Sequence, residues 1–245
     1  MAAPIDMRVV KAMARRTFRQ AVESPIAYVV GVFFYGFLGI LFGLNYFINN
    51  QASLGTMVQL APWILWFVVP ALTMGLLSEE FRLGTFEGLA ALPVRDWEIV
   101  LGKFLGFALL ALFLVLGLLF YVAMLIFTVQ HGIGLDWGGT IGTLAGIYLM
   151  GLLYGAVGLF ASSLTKNQVV ALILGMIFCT AFFISGQVSS VFAGPLGRLL
   201  EFFGVLSHLE AVGRGVFDIR DLFYFGSFIF LFLYFTVQRL STRRF

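Results

Sequence analysis

The sequence predicts an all-α integral membrane protein whose chain crosses the bilayer six times. Of its 245 residues, 61% are hydrophobic and only 11% are charged, whereas soluble domains contain about 25% charged residues. The mean hydropathy is +1.02, and the 28 glycines are typical of membrane-spanning helices. Strands of a membrane barrel would alternate with a period of two, and no such alternation is present.

Six stretches contain no Asp, Glu, Lys, Arg or His and are close to the roughly 20 residues that a spanning helix needs. They are 26–48, 57–77, 104–129, 139–164, 168–187 and 222–238. Because backbone groups in lipid must be satisfied within the segment, we expect helices, in one six-helix transmembrane domain over 26–245. The stretch 139–164 has glycines mostly at four-residue spacing, which predicts close packing inside the bundle.

The distribution of Lys and Arg predicts the orientation. With six spans, 12 of the 15 basic residues fall on one side of the membrane, and only Arg198, Arg214 and Arg220 fall on the other. The positive-inside rule makes the richer side the cytoplasm. We therefore expect both termini in the cytoplasm and a multi-pass location in a bacterial inner membrane.

Residues 1–25 are expected to form an amphipathic helix at the cytoplasmic surface. One face of this helix carries Arg8, Lys11, Arg15 and Arg19. The opposite face carries Val9, Val10, Met13, Ala14, Thr17 and Ala21. The pattern leaves two roles open: a topology anchor, or a specific docking element.

Enzymatic chemistry is not indicated. The single Cys179 lies in an apolar run, and the histidines, His131 and His208, fall in external connections. Gly102-Lys103 lacks the other residues of a phosphate-binding loop. We expect no catalytic residue, no metal site and no cofactor in this chain, and the positive charge reports topology rather than nucleic-acid binding.

The connection 78–103 holds eight of the 27 charged residues, five acids and three bases. Gly84-Thr85 is typical of a helix start, and Leu92-Pro93 of a stop. A second helix is expected to begin at Asp96 and to continue into the third span. The first helix would offer an apolar edge and a charged rim to a cytosolic partner. The alternative is a solvated loop whose charges only enforce topology.

Several short motifs of this connection resemble the first cytoplasmic loop of ABC-2-type exporter permeases. They are Thr73-Met74, Glu79-Glu80, Arg82, Gly84-Thr85, Leu92-Pro93-Val94, Asp96-Trp97 and Leu101-Gly102-Lys103. The stretch SHLEAVGRGVFDIRDLFYF, beginning at Ser207, is similar to the branch related to the gliding-motility permease subunit. The resemblance extends over essentially the whole chain.

The resemblance implies an ATP-driven exporter in which this chain is the permease half. A separate ABC ATPase subunit would bind ATP and magnesium, and the helix around 85–92 would be the coupling helix that docks on it. The implied coupling residues are Glu79, Glu80, Arg82, Gly84, Thr85, Glu87, Leu89, Leu92, Pro93 and Asp96. A second permease half, identical or a sister chain, would complete the pathway through contacts of the first and fifth spans. A periplasmic or accessory membrane subunit is a further expected partner.

The last external connection, 187–221, is amphipathic. From the residues alone it is either an interfacial helix on lipid or a broken helix buried in protein. The resemblance implies short re-entrant helices that cap the pathway. His208, Glu210, Arg214 and Asp218 would then contact substrate or form a gate, and the alternative is a structural ion-pair role.

One functional alternative of another class stays open. The chain could be a membrane anchor or scaffold of an ATPase-driven envelope or motility complex, without transporting a solute itself. A polar pathway between two halves would favour transport, whereas a dry interface would favour the scaffold.

Overall fold

The structure is a computed structural model that describes residues 6–49, 55–90, 94–128, 136–192, 194–213, 215 and 218–242. All regular secondary structure in these residues is helical, which confirms the predicted fold class. The helices are α1 Met7–Glu23, α2 Pro25–Asn49, α3 Gly55–Thr73, α4 Gly75–Leu83, α5 Thr85–Ala90, α6 Asp96–Gly117, α7 Leu119–Thr128, α8 Trp137–Leu164, α9 Gln168–Val188, a 3-10 turn Ser189–Val191, α10 Pro195–Phe203, α11 Val205–Gly213 and α12 Ile219–Ser241.

Six membrane-spanning segments are present among the described residues, as predicted. They are Pro25–Leu44, Leu60–Leu83, Asp96–Phe127, Trp137–Leu164, Gln168–Val188 and Ile219–Ser241. The second, third and sixth spans extend past their predicted edges. Charged residues such as Glu80, Lys103 and Asp221 therefore lie inside helices. The sequence predicts them in connections, because the partner of each charge lies far along the chain and a local stretch does not reveal it.

Helix α8 lies at the centre of the bundle. In its most apolar stretch 67% of the residues are buried, compared with 28% to 56% in the other spans. A Cβ on Gly155 would lie 2.0 Å from the Phe107 ring, and one on Gly158 would lie 2.0 Å from the Thr73 hydroxyl. The glycines thus let α6 and α3 approach closely, which confirms the expected packing of this helix.

The third span is interrupted between α6 and α7, a feature that the sequence did not predict. The Leu118 N–H bonds to the carbonyl of Val115 at 3.0 Å, so the carbonyl of Leu114 lacks its usual helical donor. The Tyr35 hydroxyl of α2 donates to that carbonyl at 2.8 Å. A side chain of another span thus satisfies the carbonyl at the break, as the bilayer requires.

Helix α1 and the last turns of α12 meet α4, α5 and the start of α6 on one side of the bundle, called here the terminal side. A cluster of buried apolar side chains joins these elements. It includes Met13, Leu77, Phe81, Phe86, Leu89, Ile99, Val100, Phe104, Val237 and Leu240. The terminal side is therefore a packed layer that links α1, α4, α5 and α6 to the last helix, α12.

The apolar face of α1 lies on α6 rather than on lipid. Val10, Met13, Ala14 and Thr17 are buried, while the basic face is exposed. A Cβ on Gly102 would lie 2.4 Å from the Met13 Cβ, and one on Gly106 would lie 2.8 Å from the Ala14 carbonyl oxygen. Two glycines one turn apart on α6 form the surface on which α1 packs.

The opposite side of the bundle, called here the distal side, carries α10 and α11. Helix α11 buries Val205, Leu209 and Val212 and packs against α8, α3 and α9. Helix α10 exposes Leu196, Leu199 and Phe202. Of the two alternatives for this region, a helix buried in protein fits α11. Helix α10 presents an apolar face outward, as an interfacial helix would.

Candidate functional site

A glycine turn separates α4 from α5. Gly84 has φ +71°, in the left-handed region, and no atom lies within 4 Å of the position a Cβ would occupy. The backbone conformation, not crowding, therefore favours glycine here. The next helix begins at Thr85, as the sequence predicted. The turn brings α5 back against the helix that precedes it.

The apolar edge of α5 points into the protein. Phe86 and Leu89 are buried, and the Phe86 ring meets that of Phe81 edge to face at a centroid distance of 4.9 Å. The expectation that this edge faces a partner is wrong, because α4 supplies aromatic and aliphatic surface that covers it. The outward surface consists of Leu83, Gly84, Thr85, Glu87 and Gly88, which we call the 83–88 surface.

Two of the predicted acids differ in their surroundings. Glu79 is half exposed and lies 3.7 Å from the Arg82 guanidinium, one turn along α4. Exposed pairs of this kind contribute at most about 1 kcal/mol to stability. These two side chains belong to the charged rim of the site rather than to its core.

Glu80 forms the internal link of the site. Its Oε1 lies 2.8 Å from the Lys103 Nζ on α6, and the two side chains are only 15% and 4% exposed. The same ammonium donates to the Leu76 carbonyl at 2.6 Å. Since a buried charge without its partner is costly, this pair holds α4 and α6 at a fixed separation.

A second link joins α6 to the start of α1. The Glu98 carboxylate accepts the Asp6 N–H at 2.8 Å and the Arg95 N–H at 3.0 Å. The first bond closes a separation of 92 residues. Glu98 lies in the first turn of α6, where an acid is favourable to the helix dipole, but nothing in the local sequence reveals that the first helix begins beside it.

The remaining predicted coupling residues lie at the edge of this arrangement. Asp96 is the first residue of α6 and is partly buried. Leu92 and Pro93 lie outside the described residues. The structure therefore brings Glu80, Leu89 and Asp96 into the packed layer and leaves Glu79, Arg82, Gly84, Thr85 and Glu87 on its surface.

On the distal side, His208 pairs with a residue that the sequence did not indicate. Its Nδ1 lies 2.6 Å from the Asp221 Oδ1, and its ring stacks on Tyr224 at a centroid distance of 4.0 Å. The Tyr224 hydroxyl donates to the Phe203 carbonyl at 2.8 Å. These contacts fix α11 and α10 to the first turns of α12, and the gate or substrate role of His208 stays a prediction.

Asp218, another of the distal candidates, has a different structural role. Asp218 caps α12, where its carboxylate accepts the Arg220 N–H at 2.9 Å. Glu210 is exposed, and Arg214 lies outside the described residues. In the described part of the chain, no three His, Cys, Asp or Glu side chains come together to hold a metal ion.

The model of the family described as "ABC-2 family transporter protein" matches residues 9–203, well over half of the chain. The matched region contains most of α1, the first five spans, the 83–88 surface and the Glu80–Lys103 pair. No curated protein matches the chain. The protein belongs to the ABC-2 transporter family, as a membrane-spanning permease component.

Proposed function

We propose that this chain is one permease half of an ATP-driven exporter and that a separate ABC ATPase subunit docks on the 83–88 surface. ATP binding would close two ATPase subunits, and α4 and α5 would pass the displacement to the spans. ATP and magnesium would be bound by the ATPase, and this chain would supply no catalytic group.

One observation carries the proposal: the 83–88 surface is exposed, yet it is joined directly to the second and third spans. Helix α4 continues the second span, and the Glu80–Lys103 pair attaches it to the third. The bonds of Glu98 extend the connection to α1. A push on this surface would therefore move helices rather than a loose loop.

The dimer is part of the same proposal. Helices α2 and α9, in the first and fifth spans, have the smallest buried share in their most apolar stretches, 28% each. On α9 the exposed side chains form a β-branched stripe that includes Val170, Ile173, Ile177 and Ile184. This stripe supports the expectation that a second permease half, identical or a sister chain, contacts these spans.

The proposed ATPase partner also sets the orientation of the chain in the membrane. An ATPase that docks on the terminal side places that side, and both chain ends, in the cytoplasm of a bacterial cell. The likeness of the Ser207 stretch to the gliding-motility branch supports placement within that branch, where periplasmic or accessory subunits would complete the machine.

The experiment that tests the proposal is co-purification from mild detergent. Wild type is compared with Glu87→Lys, which reverses an exposed charge beside the glycine turn. Glu201→Lys on α10 is the matched control, because Glu201 is also an exposed acid but lies on the distal side. Bound subunits are identified by mass spectrometry, and vanadate-sensitive ATP hydrolysis is measured on each complex.

We expect an ATPase subunit with wild type and with Glu201→Lys, and its loss with Glu87→Lys. If no nucleotide-hydrolysing subunit accompanies wild type, the proposed partner is wrong. If both variants retain the ATPase equally, the 83–88 surface is not where it docks.

A further inference from the structure

The exposed face of α1 carries a row of four basic residues, Arg8, Lys11, Arg15 and Arg19, called here the α1 row. Steps of three and four residues place them one above another on the side of the helix that faces away from α6. Arg19 is paired with Glu23 of the same helix at 2.7 Å. The other three make no ion pair with any residue that the structure describes. The α1 row therefore holds three uncompensated positive charges.

The apolar face of the same helix is already occupied. Val10 and Met13 are buried, and α6 is the helix that covers them. An interfacial helix normally binds a membrane by burying its apolar face among the lipids, and this face of α1 is not free to do so. A partner of the α1 row meets charge alone. Such a partner has to be anionic, and its binding has to weaken as salt is added.

The face of α6 on which α1 packs becomes apolar and uncovered just past their crossing. The crossing is at Gly106, where an added Cβ would lie 2.6 Å from the Thr17 Cβ. Leu109 and Phe113 lie on the same face, three and seven residues further into the span, and are 48% and 63% exposed. Exposed apolar side chains of a span mark the depth of the hydrocarbon. The hydrocarbon therefore begins within about one turn of the crossing.

The connection from α1 to the first span indicates the same depth. Only Ser24 separates α1 from α2. The exposed apolar side chains of α2 begin with Ile26 and Val29, which are 43% and 69% exposed. The last turns of α1 therefore lie at the edge of the hydrocarbon, where lipid head groups are found.

The start of α1 lies further from the hydrocarbon. The Asp6 N–H donates to Glu98 at 2.8 Å, and Glu98 is eight residues before Gly106, about 12 Å along α6. Arg15 is within one turn of the crossing, whereas Arg8 is seven residues, or about 10 Å, nearer the start of α1. The head-group layer is only about 5–8 Å thick on each side of a bilayer. Arg15 therefore lies at the depth of the head groups, and Arg8 lies beyond them.

From this placement we infer that the α1 row binds the head groups of acidic phospholipids, with Arg15 as the main contact. A guanidinium offers paired donors to the oxygens of a phosphate diester. In phosphatidylglycerol the phosphate charge is uncompensated, whereas in phosphatidylcholine the choline group neutralises it. A second copy of the α1 row would be repelled, and an acidic protein surface fits the depth of Arg15 less well than lipid does. The inference does not depend on the ATPase partner proposed above.

The test is the lipid preference of the full-length protein in nanodiscs that contain equal amounts of phosphatidylglycerol and phosphatidylcholine with identical acyl chains. Native mass spectrometry measures the ratio of the two lipids that stay bound when the protein is released in 0.1 M ammonium acetate. We expect phosphatidylglycerol to be enriched on wild type. Arg15→Gln should lower this enrichment about fivefold, the contribution of one basic residue at an acidic surface.

Arg8→Gln is the matched control, because it removes the same charge from the same row. At 0.1 M salt the Debye length is about 10 Å, so the charge of Arg8 is screened from the head groups and its loss should lower the enrichment about twofold at most. At 0.01 M salt the Debye length is about 30 Å, and the two variants should converge. Arg15→Lys keeps the charge at the head groups and should keep most of the enrichment.

Equal amounts of the two lipids on wild type would overturn the inference, as would equal losses with Arg15→Gln and Arg8→Gln at 0.1 M salt. Displacement of the lipid by glycerophosphoglycerol, which carries the same phosphate diester without acyl chains, would assign the row to a soluble anion. If Arg15→Gln kept the lipid ratio but lost a subunit in co-purification, the row would belong to a protein interface. Because the lipid measurement contains no ATPase, its failure leaves the exporter proposal, tested by Glu87→Lys, unaffected.

Discussion

Lys103 on α6 and Glu80 on α4 are an ion pair buried beneath the terminal surface, with Nζ and Oε1 2.8 Å apart. Each residue lies within a span that extends into the charged connection. Charges at such depth are costly unless paired. The pair therefore ties α4 to α6, as the coupling proposed above requires.

The first prediction concerns the two ways of removing this pair. Lys103→Met alone should lower the free energy of unfolding by about 3–5 kcal/mol, because the Glu80 carboxylate is left buried without its cation. The double variant Lys103→Met/Glu80→Leu should recover most of that loss. Chemical unfolding in mixed micelles measures both.

The exposed pair on the same helix provides the control. Arg82→Met removes the partner of Glu79, whose side chain is 48% exposed, and should change the free energy of unfolding by less than about 1 kcal/mol. A double variant no more stable than Lys103→Met alone would show that the loss does not come from the Glu80 carboxylate left without its cation.

The six spans could be predicted because hydropathy is a local property that each stretch carries by itself. The partners of Lys103, Glu98 and His208 could not, since each lies on another helix. Hydropathy also put the terminal-side edges of the second, third and sixth spans too far inward. It reads Glu80 and Lys103 as solvated, although together they form a neutral pair that a helix end can bury.

The second prediction concerns the glycines on which α1 packs. Gly106→Ala should push α1 away from α6, because the added Cβ would lie 2.6 Å from the Thr17 Cβ and 2.8 Å from a backbone oxygen. Overpacking of this kind costs about 1–3 kcal/mol. Val10, now 1% exposed, should become accessible as Val10→Cys to a membrane-impermeant maleimide in a Cys179→Ala background.

Gly151→Ala on α8 is the matched control, because no atom lies within 4 Å of its Cβ position. That variant should leave labelling at position 10 as in the parent. Equal labelling of the two glycine variants would mean that α1 does not depend on close approach to α6. The sequence shows that Gly102 and Gly106 are four residues apart, but it does not show which helix packs across them.

The third prediction concerns the break in the third span. Tyr35→Phe removes the donor to the Leu114 carbonyl, which has lost its helical partner, and should cost about 1 kcal/mol of unfolding free energy. Tyr121→Phe should cost less. The Tyr121 hydroxyl donates to the Tyr35 carbonyl at 2.6 Å, and that carbonyl lies within the uninterrupted helix α2. The reverse order in thermal unfolding would show that the break does not need Tyr35.

The last prediction concerns the outward stripe of α9. Ile177 is 57% exposed, and Cys179, the only cysteine of the chain, is fully buried. In a Cys179→Ala background, oxidation of Ile177→Cys in membranes should give a disulfide-linked dimer if the fifth spans of two copies meet. Leu116→Cys on α6, 51% exposed, is the control on a span outside the proposed contact and should stay monomeric on a denaturing gel. Cross-linking at position 116 but not at 177 would move the dimer contact to the third span. If Ile177→Cys forms no homodimer but cross-links to a different chain, the second permease half is a sister chain.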